Sequence, residues 1–537
     1  MTVGVALKFG AGELNPHYFA HPHLLHYALA GLYGTIFLFG FLMRVFHSIQ
    51  EFQTLFFNNP SFFYLTGRIF CASIGTLTIL VLYRYGARLF GQRVGFVSAV
   101  FLATSFLHVR SSHYVRHDVP VAFMILFSSW FILNVLEYGR KKDCFYAGIL
   151  SGLAVATNWN GIILAVPLSL AILLQGKDVK ESFRDLCISF GALFLGFFAG
   201  SPFLVLDGSM SLNEVNAFFL RQGGPGPASV FRIPSFGKAL DYLLHYLNIG
   251  MGWPLEILGI LAVFFFLIRH QKKDILFVSL PIFYFCIVGN APGRGRADYI
   301  LPMVPFLYVG AAALMVRVSE FFQGAIRSFV LGIFVLGLIA LPTARSFLHD
   351  VLLIRKDTRT LAKEWVETNL PPGARIAIER YLYLRAWVPP LLETNEQNLK
   401  LLDAIQRRSP LKGKMRKGLT SVMTASPRYT LIEITSEHHL LEEFESRYDI
   451  KELLDKEVRY VILSSFITDF KGEMTDPRAR QFYGELRKRG RLIARFSPFK
   501  EGVLDEQQDH ATHTPFDRMN LMERPGPVIE IYRLSGR

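Results

Sequence analysis

Residues 113–136 read HYVRHDVPVAFMILFSSWFILNVL: a polar head with Arg116 and Asp118, then a run over 119–136 without one charged side chain. A helix needs about 20 predominantly apolar residues to cross a bilayer. Asp118 and Pro120 supply the composition of a helix start. Arg140, Lys141 and Lys142 close the far end. This stretch therefore reads as one membrane span with a chemically equipped lip.

The same pattern recurs outward in both directions. Apolar runs lie near 62–83, 94–109, 144–157, 161–174, 186–205, 252–268, 275–289, 299–316 and 326–343, so the expected bundle has about ten spans. The pair at 144–157 and 161–174 is short. It reads as two helices hinged at Thr157-Asn158-Trp159-Asn160-Gly161, or as one long helix with a polar kink. Composition agrees with a membrane protein: 51% hydrophobic residues, 49 Phe and a mean hydropathy of +0.31. Charged residues make up 19%, below the roughly 25% of soluble domains.

Lys and Arg accumulate in cytoplasmic loops. Arg84, Arg88, Arg93, the 140–142 cluster, Lys177, Lys180, Arg184, Arg269, Lys272, Lys273, Arg317 and Arg327 fall on one side of this segmentation. The other side has only Arg110, Arg116, Arg221, Arg232, Lys238, Arg294 and Arg296, spread over longer loops. The first set is read as cytoplasmic. That puts 110–118, 206–251, 290–298 and everything after about 344 outside. The net charge of +14 then follows from loop bias and membrane lipids, and requires no nucleic acid. Cys71, Cys144, Cys187 and Cys286 lie in or beside apolar runs, with no metal spacing or disulfide framework.

Three regions follow. Residues 1–61 form an external loop with an interfacial helix, although 24–46 are also apolar enough to span. Residues 62–343 form the membrane domain. Residues 344–537 have no long apolar run and read as a soluble extracytoplasmic α/β domain, with a helix through Lys363-Glu364-Trp365 and strands at 375–378, 460–463 and 528–532. Within the long loop, residues 222–227 (QGGPGP) are rich in turn formers. The first complete span runs from outside to inside, so an exporting helix is expected before Met1.

Several residues could carry chemistry. Asp118 beside Arg116, His113 and His117 is either a helix cap or a working carboxylate, since charge at a membrane lip is costly unless solvated or used. The opening loop carries Glu13, His17, His21 and His23 in no recognised metal spacing. Arg68 lies just inside a span, where snorkelling is the structural alternative. Arg294 and Arg296 sit in PGRGRADY, a glycine-flanked basic loop that suits phosphate or is simply a turn.

The opening stretch TVGVALKFGAGELNPHYFAHPHLLHY, residues 2–27, together with the Asp118-Val119-Pro120 helix start, resembles the polyprenyl-phosphate-sugar-dependent glycosyltransferases. That superfamily includes the protein O-mannosyltransferases and the lipid A aminoarabinose transferases. The resemblance extends to Tyr299-Ile300-Leu301-Pro302-Met303-Val304-Pro305, which is similar to an Arg-Tyr-Leu-Leu-Pro-x-x-Pro helix start. It departs in three places. His21-Pro22-His23 stands for Lys-Pro-Pro or His-Pro-Pro, Asp298 for the expected Arg, and Asn158 for a common Lys.

The resemblance implies an enzyme of the inner membrane that moves a sugar from a polyprenyl-phosphate carrier to a lipid, glycan or protein acceptor outside the cytoplasm. It implies a catalytic role for Asp118 and Glu13. Arg68, Arg116, Arg294, Arg296, His21 and His23 would hold the donor phosphate. The cofactor stays open, a divalent metal ion being one option. The family's catalytic Asp-Glu pair and first span would lie before Met1, so a 537-residue form is expected to lack transfer activity. The rival readings are an inactive relative acting as a scaffold, and a transporter. Against the latter, the sequence gives no sign of discontinuous helices in two matching halves.

Overall fold

The computed structural model describes residues 2–58, 60–221, 235–288, 297–379, 387–408, 427–435, 442–468, 477–503 and 519–534. The chain divides into two compact units, Met1–Ser346 and Phe347–Arg537.

The first unit is helical. It opens with α1 (Thr2–Lys8), α2 (Leu24–Leu42) and α3 (Ile49–Asn58), which pack around Leu25, Leu29, Tyr33, Phe52 and Phe63. Then come α4 (Ser61–Phe90), α5 (Gln92–Thr104), α6 (Phe106–Ser112), α7 (Asp118–Tyr138), α8 (Lys141–Thr157), α9 (Ala165–Leu173) and α10 (Val179–Gly200). Short α11 (Phe203–Leu206) leads to α12 (Gly208–Arg221), α13 (Phe236–Asp241), a π-helical turn at Tyr242–Leu247, α14 (Asn248–Met251) and α15 (Trp253–Arg269). The unit is completed by α16 (Lys272–Val288), α17 (Val304–Ser319) and α18 (Gly324–Ile354), which carries the boundary between the units.

Each apolar run read from the sequence is helical over most of its described length. Among the described residues five helices are long and apolar enough to cross a membrane, or up to seven if each bent pair is one span. The chain is thus a multi-pass membrane protein with several apolar helices. Residues 144–157 and 161–174 form α8 and α9, separated by a 3-10 turn at Trp159–Leu164. Extended Asn158 breaks the helix, and its side chain accepts the Asn160 amide at 3.1 Å.

Other expectations need correction. The run at 94–109 is broken: Ser105 adopts an extended backbone, and α6 leaves α5 at 60°. Residues 110–112 therefore belong to α6 and not to a loop. Residues 206–251 contain α12, α13, the π-helical turn and α14 where a long loop was expected. Gly252, with φ of 78°, turns the chain by 117° between this region and α15. The interruption at Ser105 left no sign in hydropathy, because apolar residues continue through it, whereas the turn at Gly252 falls where the run at 252–268 was read to begin. The QGGPGP stretch at 222–227 lies outside the described residues.

Glycine sets the packing of α8 on α10. Gly148 and Gly152 face the backbone of α10 at Ser189 and Leu193, while Gly196 and Gly200 face Ile149 and Ala156 of α8. Each pair is spaced by four, one turn of helix, and any Cβ would collide. Small residues at that spacing let two membrane helices approach closely.

The second unit is an α/β layer structure. Its sheet has the order β3-β2-β1-β4-β6-β5, with β1 (Arg375–Glu379), β2 (Thr430–Ile434), β3 (Glu445–Ser446) and β4 (Tyr460–Ser464) parallel. β5 (Gly490–Phe496) and β6 (Ile529–Leu534) complete the edge in antiparallel pairing. The alternation of strand side chains sorts two cores. Ile376, Ile378 and Ile462 pack with Ala362 and Val366 of α19 (Thr358–Asn369). Ala377, Val461 and Leu463 pack with Phe482, Tyr483 and Leu486 of the helix Pro477–Arg489. α20 (Asn395–Arg408) adds Gln397, whose side chain bonds the backbone of Leu431. The strands read at 375–378, 460–463 and 528–532 are β1, β4 and β6.

Candidate functional site

The polar stretch 113–118 sits where α6, the turn before α7, the segment before α2 and the turn at Ala297–Ile300 meet. α6 carries Arg110 and the turn carries Arg116, both drawn to Asp298 at the start of the 3-10 turn. Arg110 Nη1 donates to Asp298 Oδ1 at 3.0 Å, and Arg116 Nη1 donates to Asp298 Oδ2 at 2.7 Å. Arg116 Nε also lies 3.2 Å from Asp118 Oδ2. The result is an alternating row, Arg110–Asp298–Arg116–Asp118, whose formal charges cancel.

The row is graded in depth. The side chains of Arg110 and Asp298 are 3% exposed, Asp118 is 12% and Arg116 is 35%. A buried charge is tolerated only when paired, and both deep members are. Burial works against the charge of Arg116, but Asp118 and Asp298 outweigh it and hold its pKa above the ordinary value. Arg116 is a cation at every accessible pH. The turn is seated against α4 by Gly67, where a Cβ would lie 2.9 Å from Val115 Cγ2 and 3.3 Å from Tyr33 Oη.

Beside the row lies a group of imidazoles. His21 and His117 stack with centroids 5.0 Å apart and planes inclined by 29°. His26 of α2 lies 5.2 Å from His117 and 6.1 Å from His23, centroid to centroid. Nε2 of His117 is buried without a hydrogen-bond partner. Burial, then the neighbouring Arg116 and His23, lower the pKa of His21 to about 4. Burial, His21, His26 and Arg116 push His117 well below the ordinary histidine range. At neutral pH these rings are uncharged, each with one N–H donor and one lone pair. Among the described residues of this unit, no three ligand atoms converge closely enough to hold a metal ion.

Asp118 is the first residue of α7, and the N-cap position is held by His117, which makes no side-chain cap hydrogen bond. The expected cap is thus one residue out of place, and Asp118 faces a guanidinium. His21 joins the cluster. His23 is buried and turned on its own loop: its Nε2 bonds the Tyr18 carbonyl at 2.8 Å, and its amide donates to Ser201 Oγ at 2.8 Å. Burial lowers its pKa, partly offset by that carbonyl. Glu13 is paired with His17 at 2.6 Å on a half-exposed surface, and no contact joins it to the row. Arg68 is exposed on α4, one residue beyond Gly67. Arg294 and Arg296 lie outside the described residues.

The opening loop is fastened by three further contacts. Asn15 Nδ2 donates to Asp207 at 2.7 Å, the Phe19 amide to Glu214 of α12 at 2.7 Å, and Trp159 Nε1 to the Ala20 carbonyl at 3.3 Å. On the far side of the turn at Ala297–Ile300, Tyr284 Oη donates to the Tyr299 carbonyl at 2.8 Å and receives Asn160 Nδ2 at 3.2 Å. Asn158, the position of a common Lys in the resembled family, instead ends α8.

Sequence reasoning placed His117 beside Asp118 but missed Arg110, Asp298 and His26 as members of this constellation. Asp298 left a signal. It stood as a departure, an acid where an Arg was expected, and a reversed charge calls for a cation nearby.

Comparison with known proteins bears on this stretch. Residues 37–206 match the family model of the dolichyl-phosphate-mannose-protein mannosyltransferases. The match runs from within α2 to α11 and includes Arg68, Arg110, Arg116, His117 and Asp118. The resemblance to the polyprenyl-phosphate-sugar-dependent glycosyltransferases is shown there. Among solved structures, ArnT from Cupriavidus metallidurans in the apo state is similar at 13% identity and a TM-score of 0.47, over 96% of this chain and 88% of its own. The same protein bound to undecaprenyl phosphate matches at 14% identity and a TM-score of 0.45, over 89% and 87%. The apo oligosaccharyltransferase of Archaeoglobus fulgidus matches at 13% identity and a TM-score of 0.44, over 92% of this chain and 67% of its own. No curated protein matches the chain.

Proposed function

We propose that this chain is an integral-membrane glycosyltransferase that moves a sugar from a polyprenyl-phosphate carrier to a lipid, glycan or protein acceptor. The observation that carries the reading is the coincidence of Arg116, His117 and Asp118 with the stretch that matches the mannosyltransferase family model. An anionic donor needs a fixed cation, and Arg116 is one. A leaving phosphate is stabilised by preorganised donors, which the guanidinium and the neutral imidazoles of His21 and His117 provide. An acceptor hydroxyl or amine needs a carboxylate to orient it or take its proton, and Asp118 lies at the exposed end of the row. Glu13, paired with His17 away from the row, is the second carboxylate to test. The charge-paired character of the row also explains why the site sits at a helix end, where a lipid tail can enter the bundle and its phosphate stay at the polar lip.

The reading places the sugar transfer on the non-cytoplasmic face of a bacterial-type inner membrane, with Phe347–Arg537 on that face. The positive-charge bias of the loops supports it. An alkaline phosphatase fused after Arg537 should be active and a cytoplasm-dependent fluorescent protein dark; the opposite pattern refutes this orientation. The function itself is tested with purified full-length protein in vesicles, supplied with a radiolabelled polyprenyl-phosphate sugar and membrane extract. Transfer of label to lipid, glycan or protein is expected, which sets this reading, with Asp118 as the working carboxylate, against the inactive form that the resemblance implies, and the labelled fraction names the acceptor class.

A further inference from the structure

Arg116 is held unequally by its two carboxylates. Its bond to Asp298 is 2.7 Å long and ends on a side chain 3% exposed, which Arg110 also grips. Its contact with Asp118 is 3.2 Å long and ends on a side chain 12% exposed, at the start of a helix. Separation at the first contact would leave a buried carboxylate with half its charge uncompensated. Separation at the second leaves a carboxylate that water or an acceptor can solvate. The phosphodiester of a polyprenyl-phosphate sugar has the single charge of a carboxylate, the monoester undecaprenyl phosphate has more, and each offers the planar guanidinium paired oxygens. Either therefore competes with the longer, more exposed contact to Asp118 and not with the short, buried one to Asp298.

We propose that Asp298 is the permanent anchor of Arg116, and that Asp118 is its exchangeable partner, displaced when the phosphate of a polyprenyl-phosphate donor binds. The inference rests on the proposed function for the identity of the donor. Its consequence is an order of events. Without donor, Asp118 is neutralised by Arg116 and is a poor proton acceptor. With donor bound, Arg116 turns its outer edge to the phosphate, Asp118 loses the contact with Arg116, and its affinity for an acceptor proton rises. The carboxylate is armed only when there is a sugar to transfer. Asp298 acts through Arg116 and is a positioning residue.

The opposite arrangement, in which Asp118 helps to hold the donor, gives the opposite result on substitution. The test is the affinity of undecaprenyl phosphate for the full chain in nanodiscs, with undecaprenol as the phosphate-free control. If Asp118 competes with phosphate, D118N should bind undecaprenyl phosphate about three- to ten-fold more tightly than the wild type, as expected for loss of one partly exposed competing charge pair. D118S should do the same, which covers a folding defect peculiar to either variant. In an R116Q background the same D118N change should alter affinity by less than about two-fold, because there is no guanidinium left to share. Weaker or unchanged binding in both D118N and D118S overturns the exchange. So does tightening that persists in R116Q, since that is plain repulsion between two anions. A wild type that fails to bind undecaprenyl phosphate overturns the proposed function as well, whereas wild-type binding with the wrong order among the variants overturns the exchange alone.

Discussion

Two carboxylates in this molecule are almost fully buried and join different kinds of neighbours. Asp298, in the helical unit, is compensated by two guanidinium groups, one of which is itself a third exposed. Glu379, at the end of β1 in the other unit, accepts hydrogen bonds from Tyr483 Oη at 2.6 Å and the Ser464 amide at 2.7 Å. The Glu379 arrangement ties β1, β4 and the helix Pro477–Arg489 together and is closed to water. The Asp298 arrangement reaches from the interior to a surface cation. Glu379 joins elements of a fold, whereas Asp298 begins a graded row of charges that fixes a cation at an exposed lip. The difference separates scaffold from candidate site without reference to any known protein.

The comparison can be broken most sharply at Asp118. Its replacement by Asn should reduce sugar transfer at least about 100-fold, the scale on which a general acid–base group contributes, with the thermal transition of the protein unchanged. Retention of most activity would make the row structural, like Glu379. Next in size is Glu379 itself. Replacing it by Ala strands the buried Tyr483 hydroxyl and Ser464 amide. That should cost about 2–4 kcal/mol in the Phe347–Arg537 unit, measured by chemical unfolding with a reporter in that unit, and leave undecaprenyl phosphate affinity unchanged. A change in affinity with no loss of stability would erase the distinction.

The smallest expected effect concerns the imidazoles. His21 is held near a pKa of about 4 by burial, Arg116 and His23. A histidine in an unfolded chain titrates near 6.5, so the unfolded state binds more protons between these values. Stability is then fully present above about pH 6.5 and falls as pH drops toward about 4. H21Q should flatten that decline in a thermal-shift series. A decline equally steep in the variant would assign it to other groups.

Most of the architecture was legible because it follows from periodicity. A run such as 119–136 has nowhere to go but a helix in lipid, and Arg375-Ile376-Ala377-Ile378 alternates as a strand between two helix layers must. The hinge at Asn158 was legible because polar residues interrupt an apolar run. The break at Ser105 was not, since hydropathy is blind to a single backbone torsion, and the turn at Gly252 coincides with the start read for the run at 252–268. The candidate site was legible in part. Arg116, Asp118 and His21 belonged to recognisable motifs and meet in space. Arg110 and Asp298 are 188 positions apart, and only the packing of α6 against the turn at Ala297–Ile300 brings them together. Glu13 was selected from its place in a motif, but the fold pairs it locally with His17. Arg68 was selected as a phosphate ligand and stands exposed on α4.

In the proposed function the lip formed by Arg116 and Asp118 transfers sugar from a polyprenyl phosphate. The most direct measurement is single-turnover transfer from a radiolabelled polyprenyl-phosphate sugar by the purified full-length chain in vesicles, with D118N and R116Q run beside it. The account predicts label in an acceptor for the wild type and loss in both variants, with released polyprenyl phosphate in equal amount to transferred sugar. Transfer that survives in both variants, or a wild type that binds the donor and never turns it over, would contradict it.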